Sequence, residues 1–238
     1  MKRFILFGIC CLFTLQGVGQ GTTVQTRIAL PAGFSRINVK EGSFEEYLRN
    51  LPLRPRGSKV HYYDGREKRD TRVYCKQKAY NKIHFNFTNG FRADYTKWAE
   101  GYRISVKGNQ VSWYKAKEKD YSYKTFRAYL DIVFAYAGTL SLSKELKSIP
   151  MASMRIGDVF IQGGSPGHAV IVVDMAENPA TGQKLYLLAQ SYMPAQDIQI
   201  LKNPGDSSLS PWYLLKSEGN VITPEWGFTS FDLKRFKE

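Results

Sequence analysis

Cysteine is nearly missing from this chain, and with it the usual means of stapling an extracellular domain. Three of its 238 residues are cysteine, and two of them, Cys10 and Cys11, lie inside an apolar N-terminal run. Cys75 is then left alone, so no internal disulfide framework can form. Histidine is equally scarce. His61, His84 and His168 stand far apart, and three such residues with one cysteine give no metal-ligand spacing. No metal and no cofactor is therefore expected. There is no Gly-Lys-Ser/Thr loop to cradle a phosphate, and no apolar stretch beyond the N-terminal one approaches the roughly 20 residues that a bilayer-spanning helix needs. Repeats and low-complexity linkers are missing too.

What is present begins with a leader. Met1-Lys2-Arg3 is positively charged, Phe4 to Leu15 is apolar, and Gln16 to Gln20 is small and polar. This order is that of a secretory signal peptide, and the apolar run is too short to span a membrane. Cleavage is expected near Gly19/Gln20, giving a signal peptide over 1–19, a single secreted or periplasmic domain over 20–238, and no transmembrane segment afterwards. Lys and Arg number 34 against 21 Asp and Glu, a formal charge of +13. The surplus is dispersed rather than gathered in runs, which describes a solvated basic surface and not a nucleic-acid interface.

Ser43 followed by Glu45 and Glu46 predicts a short capped helix over 43–51. The rest of 21–60 reads as extended, with Pro31, Pro52 and Pro55 breaking any long element. Ile83 to Phe87 alternates apolar and polar residues, a strand carrying His84 and Asn86 on one face. Gly101 to Lys115 reads as a hairpin closing on Gly108-Asn109. Over Asp120 to Tyr136, Phe126, Leu130, Val133 and Phe134 recur at helical spacing, with Asp120 or Ser122 as N-cap and Gly138 as C-cap. Strands are expected over 158–162, 169–173, 184–189 and 197–201 and near 226–228, with a turn at 178–182. Helices followed by an antiparallel meander make an α+β fold.

The stretch from Gly157 to Asp174 holds the clearest chemistry. A strand ends at Gln162, a Gly-rich loop follows, and a second strand starts at His168. The low bulk of Gly164 and Ser165 leaves room for a ligand or backbone to approach. The next strand ends in Gln190 and Ser191, followed by Tyr192, and folding back would bring Gln190 near His168. A histidine oriented by an amide is the base half of a thiol-type catalytic unit. His168 and Gln190 are thus candidate catalytic residues. His84, Asn86, Gly164, Ser165, Ser191 and Tyr192 are candidate ligand contacts. Gly163 to Gly167 also fits the Gly-x-Ser-x-Gly elbow in letters, but a strand follows it where a helix is required, and Pro166 lacks the N–H an oxyanion hole would use.

Gly157-Asp158, Gly167-His168 and the apolar strand ending in Gln190 resemble the histidine half of papain-like cell-wall hydrolases, the cysteine, histidine-dependent amidohydrolase/peptidases and their NlpC-type relatives. That resemblance covers about 40 residues and implies a papain-like or NlpC-like antiparallel sheet with N-terminal helices, His168 as general base and Gln190 as its orienter. Nearly the whole chain also resembles a secreted Bacteroidetes family known as a domain of unknown function, number 4846. The residues that carry this include Gly42-Ser43-Phe44, Ile83 to Tyr95, Gly157 to Gly163, Gly167 to Asp174, Leu188 to Gln196 and Leu209 to Tyr213. In that family a longer segment follows Tyr63-Asp64-Gly65 and includes a helix that starts with a cysteine, where the helix dipole would lower a thiol pKa. Here the segment is shortened. Cys75 matches the end of the missing helix rather than its start.

The expected function is that of an envelope-associated protein derived from a peptidoglycan amidase or peptidase and degenerate in this chain, a pseudoenzyme. The alternative is a non-catalytic protein that binds a wall peptide or glycan, with Tyr192, Trp212 and Tyr213 as contact residues. A third is a basic envelope protein that binds acidic polymers.

Overall fold

The computed structural model describes residues 23–53, 83–191 and 198–237. The expected signal peptide, Cys75 and the segment after Tyr63 lie outside these residues, as does Tyr192. The first described stretch is less irregular than expected. A helical turn, α1 (Val24–Arg27), is capped by the Thr23 hydroxyl. A two-residue strand, β1 (Ser35–Arg36), and the expected short helix, α2 (Phe44–Arg49), follow. Ser43 caps α2 by accepting from the Glu46 N–H at 3.2 Å, and the Glu46 carboxylate accepts in turn from the Gly42 N–H at 2.6 Å.

Residues 83–136 form a compact module of their own. Strands β2 (His84–Asn86) and β3 (Arg92–Asp94) pair antiparallel and lead into α3 (Tyr95–Ala99). The hairpin β4 (Tyr102–Lys107) and β5 (Gln110–Lys115) turns on Gly108-Asn109, with φ +59° at Gly108 as a primed two-residue loop requires. Helix α4 (Tyr123–Tyr136) is capped at Ser122. Its buried stripe differs from the expected one: Tyr129 is fully buried, whereas Phe134 is 74% exposed. The helix is turned so that Thr125, Phe126 and Tyr129 face Tyr95 and Trp98 of α3. Phe85, Phe87, Tyr95, Trp98, Phe126 and Tyr129 make a core built of rings. Gly138 does not close α4. Ala137 does, and Gly138 instead precedes a further helix, α5 (Thr139–Glu145), which the sequence did not announce.

The rest of the chain is an antiparallel sheet. After β6 (Lys147–Ser148) come β7 (Val159–Gln162), β8 (His168–Glu177) and β9 (Lys184–Gln190), then β10 (Gln199–Ile200), β11 (Tyr213–Leu214), a hairpin of β12 (Asn220–Ile222) with β13 (Gly227–Thr229), and β14 (Leu233–Arg235). The main sheet runs β10-β9-β8-β7-β14-β6, with β1 added to β8 and β11 to β9. The long β8–β9 hairpin is its centre. It turns where Asn178 accepts from the Ala180 N–H at 3.0 Å and Gly182 takes φ +71°. Both strands are near-continuous apolar runs because both their faces are covered, and Val172, Val173, Leu185, Leu187 and Leu188 are fully or almost fully buried. Each such side chain contributes about 2 kcal/mol by leaving water. The fold is thus mixed helix and antiparallel sheet, as the α+β expectation had it. Among the described residues, no helix is long and apolar enough to cross a membrane.

Candidate functional site

Pairing in the main sheet decides which side chains meet. Gln162 of β7 lies directly opposite His168 of β8. The β8–β9 register aligns Ile171 with Ala189, which sets Gln190 diagonally across from His168 on the same face. Diagonal neighbours on one face lie within reach of long side chains. The His168 Nε2 and the Gln190 Oε1 are 2.7 Å apart, and both residues are buried, at 7% and 3% exposure. An amide oxygen can only accept, so this contact is a hydrogen bond when the ring hydrogen sits on Nε2. In the neutral imidazole, Nδ1 then carries the basic lone pair, the arrangement a general base requires.

The hairpin of β12 and β13 roofs this pair. Trp226 lies 5.5 Å from the His168 ring, centroid to centroid, and Phe228 stacks on it at 6.1 Å. The connecting turn, residues 223–226, is held by the Thr223 hydroxyl, which donates to the Trp226 carbonyl at 2.8 Å and accepts from its N–H at 3.1 Å. From that turn the Glu225 carboxylate accepts from the Gln190 Nε2 at 2.7 Å. The Trp226 indole N–H donates to the Gln162 Oε1 at 2.9 Å, and the Gln162 Nε2 donates to the Gly227 carbonyl and to Asp232. Glu225 was not legible in advance. It sits in a turn, where no periodicity marks it.

The Gly-rich loop lies against α5. A Cβ on Gly163 would meet the Ser143 hydroxyl at 2.2 Å, and one on Gly167 would meet that of Thr139 at 2.3 Å. These glycines therefore let the loop approach the helix closely. The Thr139 hydroxyl and the Gly164 backbone lie 3.5 Å apart. Ser165 and Ser191 are exposed. A strand, not a helix, follows the loop, as the argument against a nucleophile elbow required.

His84 and Asn86 are placed elsewhere. His84 approaches Glu145 of α5 at 3.6 Å. That helix packs with Leu142 and Leu146 on Val159, Ile161, Ala169 and Ile171, the side of β7 and β8 opposite to His168. The structure does not bring His84 to His168. Asn86 pairs with Arg92 across β2 and β3. Trp212 and Tyr213, considered above as glycan contacts, are core residues at 1% and 4% exposure. Their polar atoms are used internally: the indole N–H donates to the Ala29 carbonyl at 2.8 Å and the phenol to that of Lys202 at 2.6 Å. Burial raises the Tyr213 pKa.

Ion pairs clamp both ends of the Gly157–Asp174 unit. Arg235 bridges both oxygens of buried Asp158, at 2.7 and 2.8 Å. Asp174, fully buried, takes Arg36 at 2.6 Å and Arg49 at 2.7 Å. Such pairs position a strand and add little net stability, because desolvation offsets the attraction. Among the described residues no group of three or more His, Cys, Asp or Glu side chains could hold a metal ion, and none of them is a cysteine.

Residues 24–76 and 72–235 match the family model described as domain of unknown function (4846). The chain belongs to that family. The two matched stretches overlap at 72–76. No curated protein and no solved structure matches the chain.

Proposed function

We propose that this chain is a secreted, envelope-associated protein derived from a papain-like peptidoglycan amidase or peptidase, and that it keeps the base half of the site without the nucleophile half. The observation that carries the reading is the buried 2.7 Å contact between His168 Nε2 and Gln190 Oε1. A buried imidazole oriented by an amide through one ring nitrogen offers its other nitrogen as a base, and this supports the reading. The Gly157-Asp158 strand, the Gly167-His168 strand and the strand ending in Gln190 stand side by side in the order β7-β8-β9, which supports the resemblance drawn from their sequences. Secretion rests on the N-terminal leader.

In a complete thiol site, a thiolate attacks the amide carbonyl while the imidazole relays the proton to the leaving amine. Here His168 would retain the proton-holding role toward a bound wall peptide, and no amide bond would be cut. The test is incubation of the mature protein with peptidoglycan fragments, reading both new free amines and retained fragments. The expected result is retention without new amines. Cleavage by the wild type that disappears in His168→Ala and in Cys75→Ser would overturn the degenerate reading and establish a working enzyme.

A further inference from the structure

We infer that Glu225 is a positioning residue that selects the tautomer of His168 through the amide of Gln190. The proposal deepens the reading above and rests on it for what the tautomer is for, but its geometry stands alone. A glutamine amide can face either way, and its two ends are chemically opposite: one accepts, the other donates. What faces the far end therefore decides what the near end offers. The Glu225 carboxylate has no hydrogen to give when ionised. It lies 2.7 Å from the Gln190 Nε2, so the amide must turn its NH2 toward Glu225 and its oxygen toward His168. The oxygen, 2.7 Å from the ring Nε2, in turn demands a hydrogen there. One acceptor-only group at the end of the relay thus fixes the proton two groups away, and with it the identity of the basic nitrogen, Nδ1.

The surroundings make this selection strict. The Gln190 side chain is buried, so water cannot readily replace a misdirected partner. The turn that delivers Glu225 is braced by Thr223, and its next residue, Trp226, lies beside the same imidazole. The other amide next to the site is pinned by the same logic. Gln162 receives a donor-only indole N–H on its oxygen and turns its NH2 to the carboxylate of Asp232 and the Gly227 carbonyl. Neither amide has a second orientation that satisfies its neighbours.

The test is read on substrate-free protein, so it does not depend on whether wall fragments are bound or cut. Mature protein with 15N-labelled histidine is examined by long-range proton–nitrogen correlation above the pH at which its imidazoles are charged, with His168 assigned by its absence in His168→Gln. The wild type is expected to show the Nε2–H form. Glu225→Gln keeps the shape but offers a donor as well as an acceptor, so the amide of Gln190 can reverse, and the tautomer ratio is expected to move toward Nδ1–H by about three- to tenfold, the range set by one hydrogen bond. Glu225→Ala, which removes the constraint entirely, should move it in the same direction, and it serves if the isosteric variant fails to fold. A folded variant of either kind with the wild-type ratio would overturn the inference and leave Glu225 a structural residue. A wild type in the Nδ1–H form would overturn it as well.

Discussion

The ring-packed module of residues 83–136 and the main sheet solve the same problem in different ways. The module closes its core with aromatic rings contributed over short sequence distances, and none of its acidic side chains is buried. Asp120 accepts from the Ser122 N–H, the Ser122 hydroxyl and the Thr125 hydroxyl at the start of α4. The sheet brings strands together from distant parts of the chain and buries Asp158, Asp174, Arg49, His168 and Gln190 among its aliphatic residues. Buried polar groups add little to stability and much to definition. The region that holds them is the one with a candidate site. The module reads as a support, joined to the sheet through α5, which touches β2 on one side and β7 on the other.

The largest way to break this contrast is Tyr129→Ala. The ring packs on Phe85, Tyr95 and Trp98, and its hydroxyl donates to the Ala93 carbonyl at 2.6 Å. A loss of about 4 kcal/mol is expected. Hydrogen exchange should show α3 and α4 losing protection well before β8 and β9. Equal loss in both regions would mean a single cooperative unit. Asp174→Ala attacks the other side. It leaves two guanidinium groups without their carboxylate, and the expected cost is about 3 kcal/mol, at the lower end for a buried pair because Arg36 is partly exposed. Urea unfolding followed at Trp212, which lies beside Arg36, should report it.

Smaller effects sharpen the comparison. Ser122→Ala removes the cap of α4, at about 1 kcal/mol, and its melting shift should fall on the module alone. The Thr125 hydroxyl first, and then the Ser122 N–H and hydroxyl, hold the Asp120 carboxyl below its ordinary value of 3.8. A carboxyl depressed in the folded state contributes stability above its unfolded pKa and loses it as pH falls through the folded one. The module should therefore weaken as pH drops below 3.8, and Asp120→Asn should flatten that part of the pH profile. A profile unchanged by the substitution would contradict the assignment.

Elements governed by local rules were legible in the sequence. The Ser43 cap, the Gly108-Asn109 hairpin, the strand around His84 and the meander from β7 to β9 all appear where the pattern placed them, because caps, turns and alternation act over a few residues. That folding back could bring Gln190 near His168 was legible from strand order, whereas the diagonal comes from a register that the sequence does not state. Long-range and rotational features were not legible. The face of α4 was misjudged by including Phe134, since helical spacing cannot say which of two adjacent stripes meets a neighbour. Helix α5 has no strong apolar period, and the two-residue strands β1, β6 and β11 exist only because a longer strand offers an edge. Trp212 and Tyr213 looked available as aromatic contacts, but both fill the core. Glu225 reaches the site from a turn 35 residues beyond Gln190, a juxtaposition that no local signal encodes.

The central claim is that His168 stands without an activated nucleophile. The most direct test is the rate of iodoacetamide alkylation at Cys75 at about pH 6, where an ordinary thiol is almost wholly protonated and slow while a histidine-paired thiolate reacts fast. The account predicts the slow rate of an ordinary thiol, the same in the wild type and in His168→Ala. Rapid alkylation in the wild type that is lost in His168→Ala would contradict it.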